Sequence, residues 1–469
     1  MGVFTLLDTL FSFWQANEMI IALVLFLATY ALMLLIPKYN AYIALGVAAI
    51  FAVTRMASVE KIITIDWVPN WNVLMMILGT MGVVALFIES KMPALLADII
   101  IDKTKNVQFA SVALALFAGF ISAFVDNVAT VLMIAPVAVT IAKKLKVSPV
   151  NMIIAISVSS NLQGAATLVG DTTSILLGAE AGMDFNDFFF FLGKPGLFWI
   201  NQFAAITTAL VLLFLFRKEK DPIRIEEKTK VTDFVPSVLM VATVVLLIIA
   251  SFLTLPDITV GGKAVAFRDA IPLNGIICVG LFIIGFVRKL AKKEKVKHIV
   301  EELDFFTLML LIGLFIIIGG IEEVGIIQKI SEILQKVSGG NVFIMFTIFT
   351  WASVMLSAVI DNIPYVMTML PVVTALATAP GMPEGSRFVL YFGLIIGATL
   401  GGNITPIGAS ANIAGIGILR KEGYTVTAKT FMRISVPFTI VAVISGYVLA
   451  WLLFRPAALS PEVLAGLAA

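Results

Sequence analysis

Asp126 and Asp361 are ionisable side chains set in two of the most apolar stretches of the sequence, SAFVDNVATVLMIAP (122–136) and SAVIDNIPYVMTMLP (357–371). An amide follows each, Asn127 or Asn362, and a proline closes each stretch, Pro136 or Pro371; all three pairs are 235 positions apart. A carboxylate beside an amide offers oxygen ligands to Na⁺, a titratable group to H⁺, and a cap for the first N–H groups of a following helix. Capping alone is cheaper with Ser, because an Asp at the centre of a bilayer costs roughly 2.5–3.5 kcal/mol even on insertion scales. Its appearance twice points to ion chemistry, with capping as a compatible second task.

Two more polar stretches lie in apolar surroundings, SSNLQGAATLVGDTTS (159–174) and GATLGGNITPIGASAN (397–412). Their glycines, Gly164, Gly170, Gly401, Gly402 and Gly408, and Pro406 permit backbone to leave helical geometry. Within a membrane such backbone is tolerated only where protein or a water-filled cavity satisfies it. Asn161, Thr167, Asn403 and Thr405 offer side-chain oxygens there, and Asn412 joins them as a candidate ion-binding residue. Half-helices starting at 128 and 363 would aim positive N-termini at one place, which suits an anion. Carboxylates and freed carbonyls suit Na⁺ or H⁺, so a site holding both could couple two ions. Asp171 has Ala409 as its counterpart and is the candidate for an asymmetric proton or cation site. Glu89 and Glu323 sit where their helices meet the interface and are expected to be solvated ends.

The rest of the chain must hold these residues at membrane depth. Of its 469 residues 60% are hydrophobic and 13% charged, with a mean hydropathy of +1.05, against about 25% charged residues in soluble domains. Stretches such as 19–36 and 238–253 approach or reach the roughly 20 apolar residues that span a bilayer. A net charge of +2 gives no reason to expect nucleic acid. Cys278 and His298 are the lone residues of their kinds, which excludes an intrachain disulfide and a Cys-based metal site and nearly excludes a His-dependent enzyme. No phosphate-binding motif is present, so no enzyme activity and no cofactor are expected beyond a coupling Na⁺ or H⁺. The start of the chain lacks a signal-peptide pattern, and 1–18 reads as an interfacial helix, as does 322–337.

Lys and Arg mark cytoplasmic loops. They cluster at 217–233 and 288–304, with spans at 234–255 and about 272–288 between them. LMMILG (74–79) resembles LMLLIG (308–313), Glu89 matches Glu323, and TLVGDTTSI (167–175) resembles TPIGASANI (405–413), at offsets of 234, 234 and 238. With the Asp-Asn pairs these landmarks define an internal duplication. Lys91, Lys103, Lys105, Lys143, Lys144 and Lys146 flank the first Asp-Asn segment, whereas Arg387 stands alone after the second. The two copies therefore face opposite sides. The expected fold is an all-α polytopic membrane protein, an inverted-topology repeat with two re-entrant hairpins, two broken helices and about 11 transmembrane segments. The expected order is an N-terminal helix (1–18), a first half (19–216, hairpin 107–142, broken helix 149–182) and a cytoplasmic linker (217–233). A second half (234–455, hairpin 341–378, broken helix 388–419) and a tail (456–469) complete it.

The four polar segments together resemble those of the melanosomal P protein and its prokaryotic relatives, in order from about residue 70 to 450. That group belongs to the ion-transporter superfamily, with arsenite permeases, sodium/proton antiporters, citrate transporters and divalent-anion/sodium symporters. The resemblance implies a homodimer, a scaffold part and a mobile transport part in each protomer, and elevator-like alternating access. It also implies ion and substrate binding at Ser122, Asp126, Asn127, Thr130, Ser357, Asp361, Asn362 and Tyr365, completed by Asn161, Gly164, Thr167, Gly170, Asn403, Thr405 and Gly408. Na⁺ is assigned to Asp126, Asn127, Asp361 and Asn362. The chain departs from the pattern at GDTTS, where relatives typically read Gly-Asp-Pro-Pro-Asn, and in having Asp-Asn tips where the dicarboxylate branch has Ser-Asn-Thr. Both departures count against a citrate- or succinate-like substrate. The expectation is a multi-pass cell-membrane transporter for a small ion, driven by Na⁺ or H⁺, with Na⁺/H⁺ exchange ahead of transport of an oxyanion or small carboxylate. An anion channel comes last.

Overall fold

Polar residues at fixed offsets fold into matching helices. The computed structural model describes residues 17–58, 64, 67–145, 147–222, 229–231, 233–253, 256–260, 263–460 and 463. The interfacial helix expected over 1–18 falls almost entirely outside the described residues, as do 223–228 and 232 of the linker and most of the tail beyond 460. The first half consists of α1 (Glu18–Leu35), α2 (Asn40–Val53), α3 (Val68–Glu89), α4 (Met92–Asp102), α5 (Val107–Ser122), α6 (Asn127–Leu145), α7 (Val150–Gly164), α8 (Thr172–Ala181) and α9 (Leu197–Leu215). The second runs through α10 (Val235–Ser251), α11 (Leu273–Ala291), α12 (Phe305–Glu323), α13 (Ile326–Ser338), α14 (Val342–Ser357), α15 (Asn362–Ala377), α16 (Ser386–Gly401), α17 (Ser410–Lys421) and α18 (Ala428–Phe454). These nine helices of each half follow in the same order, while the short elements in the connections differ, such as the helix Lys297–Glu301 found only in the second half among the described residues. Among the described residues seven helices are long and apolar enough to cross a membrane, or up to eight if the bent pair α13–α14 counts as one span, and shorter apolar helices accompany them.

Both hairpins are set by the same local chemistry. Asn106 caps α5 through Phe109 N (3.1 Å), and Asn341 caps α14 through Phe343 N (2.9 Å) and Ile344 N (3.2 Å). Four residues then turn the chain, and Asp126 or Asp361 caps the returning helix. Pro136 and Pro371 are accommodated within α6 and α15. The broken helices interrupt at 165–171 and 402–409, where glycine lets backbone segments touch.

The halves also exchange helices. α11 lies along α3, and α2 lies along α12, so each repeat lends one helix to the other. Gly79 and Gly313 make these approaches close: an added Cβ would sit 2.3 Å from the Cys278 carbonyl carbon in one and 2.7 Å from that of Ala44 in the other. The C-terminal half of α3 and the start of α12 wall one cavity together, which sets the two helices antiparallel and displays the inversion of the repeats. α1–α3 and α10–α12 form one helix group. The hairpins, the broken helices, α9 and α18 form a second group, and α4 and α13 connect the two.

The stretch 91–106 contains the helix α4, with Pro93, Ala97, Asp98 and Ile101 buried, because its apolar residues recur on one face. Two expectations change. Arg288 and Lys289 belong to the last turn of α11, not to a loop. Glu89 is not a solvated end: it meets the buried Lys289 at 2.5 Å, and Lys289 also lies 3.3 Å from Glu294. Helix exchange carries Lys289 into the core, and a buried ammonium requires carboxylate partners. Glu323 accepts from Ser58 N at 3.2 Å.

Candidate ion-binding site between the hairpin tips

Asp126 and Asp361 meet at one cavity. Its volume is about 220 Å³, and its polar lining is Asp126, Asn127, Asp171, Thr172, Asp361, Asn362 and Ser410, with Glu302, Asp304 and Thr307 at one end. Met81, Val84, Ala85 and Ile88 of α3 supply an apolar wall. No Lys, Arg or His lines it among the described residues. Asp361 is exposed to the cavity, Asp126 partly so, and Asp171 is buried.

Each tip aspartate divides its two oxygens between tasks. Asp126 Oδ1 accepts from Val128 N (2.9 Å) and Ala129 N (3.1 Å), and Asp361 Oδ1 accepts from Ile363 N (3.0 Å). The Oδ2 atoms take no hydrogen bond among the described residues and remain available to a ligand. Asp171 Oδ2 accepts from Thr173 Oγ1 at 2.9 Å and receives a long contact, 3.5 Å, from Asn362 Nδ2 of the other repeat.

Behind the tips a chain of amides crosses between the repeats. Asn127 Nδ2 donates to Asn161 Oδ1 (2.9 Å), and Asn161 Nδ2 donates to Asn403 Oδ1 (2.7 Å) and Asn412 Oδ1 (3.1 Å). Asn403 Nδ2 donates to Val158 O (3.0 Å) of α7, and Asn412 Nδ2 to Gly402 O (3.0 Å) and Thr405 O (3.1 Å), so Asn412 holds freed backbone of the second break. Buried polar groups must be satisfied in this way, and the bonds tie the second break to α7 of the first repeat.

Two carbonyl cradles flank the amide chain. Thr167 Oγ1 donates to Ala123 O, and the carbonyls of Ser122, Ala123 and Gly164 crowd Gly170 so closely that a Cβ there would meet them at 2.9, 2.8 and 2.5 Å. In the second copy Thr405 Oγ1 donates to Ala358 O (2.6 Å), and a Cβ on Gly408 would meet Gly402 O at 2.7 Å and Ala358 O at 2.8 Å. Ser122 accepts from Ser160 Oγ (3.0 Å), and Ser357 Oγ donates to Ala398 O (2.5 Å). Thr130 and Tyr365 turn back into their hairpins, toward Val125 O (3.4 Å) and Ser353 Oγ (2.9 Å), and do not line the cavity. Among the described residues no three His, Cys, Asp or Glu side chains gather as a metal cluster, so oxygens of carbonyl, amide and single carboxylate groups are the donors offered.

Tyr30 of α1 donates to Pro364 O at 2.6 Å and contacts the Thr368 hydroxyl, tying the first helix group to α15. Sequence reasoning missed Glu302, Asp304 and Thr307. The repeat alignment held a signal for them: at the offset of 234 they face Val68, Asn70 and Val73.

Inverted repeats, hairpins ending at one polar cavity and broken helices that lie behind it define a multi-pass membrane transporter. A family model described as "Citrate transporter" (CitMHS) matches residues 30–389, and the chain belongs to that family. It is 28% identical over 437 residues to an "uncharacterized transporter" of Mycobacterium tuberculosis, covering 92% of this chain and 98% of that one. It is 24% identical over 456 residues to the human P protein, covering 81% of this chain and 53% of that protein. Among solved structures the fold resembles the YdaH transporter of Alcanivorax borkumensis, with a TM-score of 0.54 and 13% identity over 90% of this chain and 98% of that one.

Proposed function

We propose that the protein is a secondary transporter that couples a Na⁺ or H⁺ gradient to movement of a small inorganic ion, with Na⁺/H⁺ exchange as the leading case. The observation that carries this reading is the cavity: carboxylates from both hairpin tips and from Asp171 line it, and among the described residues no basic side chain does. A lining of this charge attracts cations and repels anions. Its volume of about 220 Å³ lies below the roughly 300–1,000 Å³ of pockets for drug-sized ligands and suits a small ion with some of its water. Asp126, Asn127, Asp361 and Asn362 are the assigned Na⁺ ligands, helped by the cradles at Thr167 and Thr405. Asp171, present in one repeat only, is the assigned asymmetric proton or cation site.

Alternating access follows from the two helix groups. The scaffold of α1–α3 and α10–α12 stays fixed while hairpins and broken helices shift past it as a unit, an elevator-like movement. In a homodimer the scaffold would anchor the pair, since each protomer holds a complete cavity.

A second reading takes an anion, an oxyanion or small carboxylate, with Na⁺ or H⁺ as partner. The family's description and the two half-helix N-termini favour it. Against it, the free N–H groups at those N-termini are already occupied by Asp126 and Asp361. Proteoliposome flux with a panel of ions under imposed Na⁺ or H⁺ gradients separates the readings. Na⁺-driven proton movement without any added anion supports exchange; an absolute requirement for citrate or arsenite supports the second.

A further inference from the structure

The cavity is symmetric at the tips and asymmetric at its mouth. Glu302, Asp304 and Thr307 come from the scaffold, at and just before the start of α12, and face the tips across the cavity. Their counterparts at the start of α3 are Val68, Asn70 and Val73. One copy thus places two carboxylates where the other places an apolar side chain and a neutral amide. Glu302 lies 3.7 Å from the His298 ring nitrogen. Asp304 has no Lys, Arg or His within ion-pair distance among the described residues. Its oxygens accept from Thr307 N (3.0 Å) and Thr307 Oγ1 (2.6 Å), which caps α12 and holds the carboxylate in place.

We propose that Asp304 is a scaffold-borne charge that speeds capture of the transported cation at one membrane face only, making the two faces kinetically unequal. It is not a ligand of the ion. An exposed anion at the entrance of a cleft with an apolar wall raises the local cation concentration along the path to the tips. When the transport group shifts to the other face, Asp304 stays behind with the scaffold, and the ion then passes Asn70. The proposal rests on the cation reading of this cavity.

The test compares wild type, Asp304→Asn and Asn70→Asp in inside-out and right-side-out membrane vesicles, with Na⁺ uptake measured from each face. Asn caps a helix as well as Asp, so Asp304→Asn removes the charge and keeps the cap. The expected result is a half-saturating Na⁺ concentration raised about threefold to tenfold at the face carrying residues 302–307, with the opposite face unchanged. Asn70→Asp lowers the value at the opposite face, and this arm stands should Asp304→Asn fold poorly. Raising ionic strength with choline chloride erases the wild-type advantage, because salt screens exposed charges beyond about 10 Å at 0.1 M. Equal half-saturation at both faces in wild type, or an Asp304→Asn change of the same size at both, overturns the inference while leaving the cation reading intact. A wild-type protein that moves neither Na⁺ nor H⁺ overturns both.

Discussion

The two repeats spend the same residues at the centre and different ones around it. Ser122, Asp126, Asn127, Thr167 and Gly170 have identical counterparts in Ser357, Asp361, Asn362, Thr405 and Gly408. Around them, Asp171 answers to Ala409, Thr130 to Tyr365 and Asn70 to Asp304. The backbone geometry at a helix break has few solutions inside a membrane, so both copies keep the small residues, hydroxyls and caps that provide it. Charge has no such constraint. A single carboxylate retained in one copy is enough to make the paths from the two faces unequal.

The largest expected effect tests the shared part. Gly170→Ala and Gly408→Ala each force a Cβ against carbonyl oxygens under 3 Å away, and overpacking of this kind costs about 1–3 kcal/mol. Both variants should lose transport to a similar extent in proteoliposomes while remaining folded in detergent. Loss in one alone would make the two cradles functionally distinct. Next, Asp361→Asn should abolish coupled flux with the fold intact, since an Asn still accepts from Ile363 N but carries no exchangeable charge. Full activity in that variant would remove the coupling role.

Asp171→Ala sharpens the comparison directly, because it makes the first repeat match Ala409. Folding should survive and the pH dependence of flux should change; a profile superimposable on wild type would reduce Asp171 to a partner for Thr173. The smallest effect concerns stability alone. Arg288 holds Asp233 through two bonds, 2.6 and 3.0 Å, and so keeps its carboxyl below the usual carboxylate range. A depressed folded value stabilises above the unfolded one and loses that stabilisation as pH falls through it. Asp233→Asn should therefore lower the thermal midpoint slightly at neutral pH, by no more than about 1 kcal/mol of stability for so exposed a pair, and the gap should close in acid. A gap that widened in acid would contradict the assignment.

How much of this was legible in advance depended on where a residue sits. Asp126, Asn161, Gly170 and Asn403 stand out because polar or glycine residues within membrane-depth apolar sequence are costly unless used. Lys289 gave no such signal: a lysine in the run Arg288-Lys289 reads as loop, and only the packing of α11 on α3 buries it beside Glu89. Asp304 was silent for a related reason. An acidic residue just before a helix is an ordinary cap, and nothing local shows that a cavity lies in front of it.

By itself the sequence determined the duplication, the opposed orientation of the copies, the hairpins and the breaks, because the lack of water in a bilayer makes each buried polar group and each missing backbone bond costly enough to leave a mark. Only the tertiary structure decided which helices the halves exchange, that the amides of Asn127, Asn161, Asn403 and Asn412 join into one chain, and that the scaffold adds Asp304 to the mouth. Those are contacts between residues far apart in the chain, and their free energies depend on geometry that no local pattern encodes.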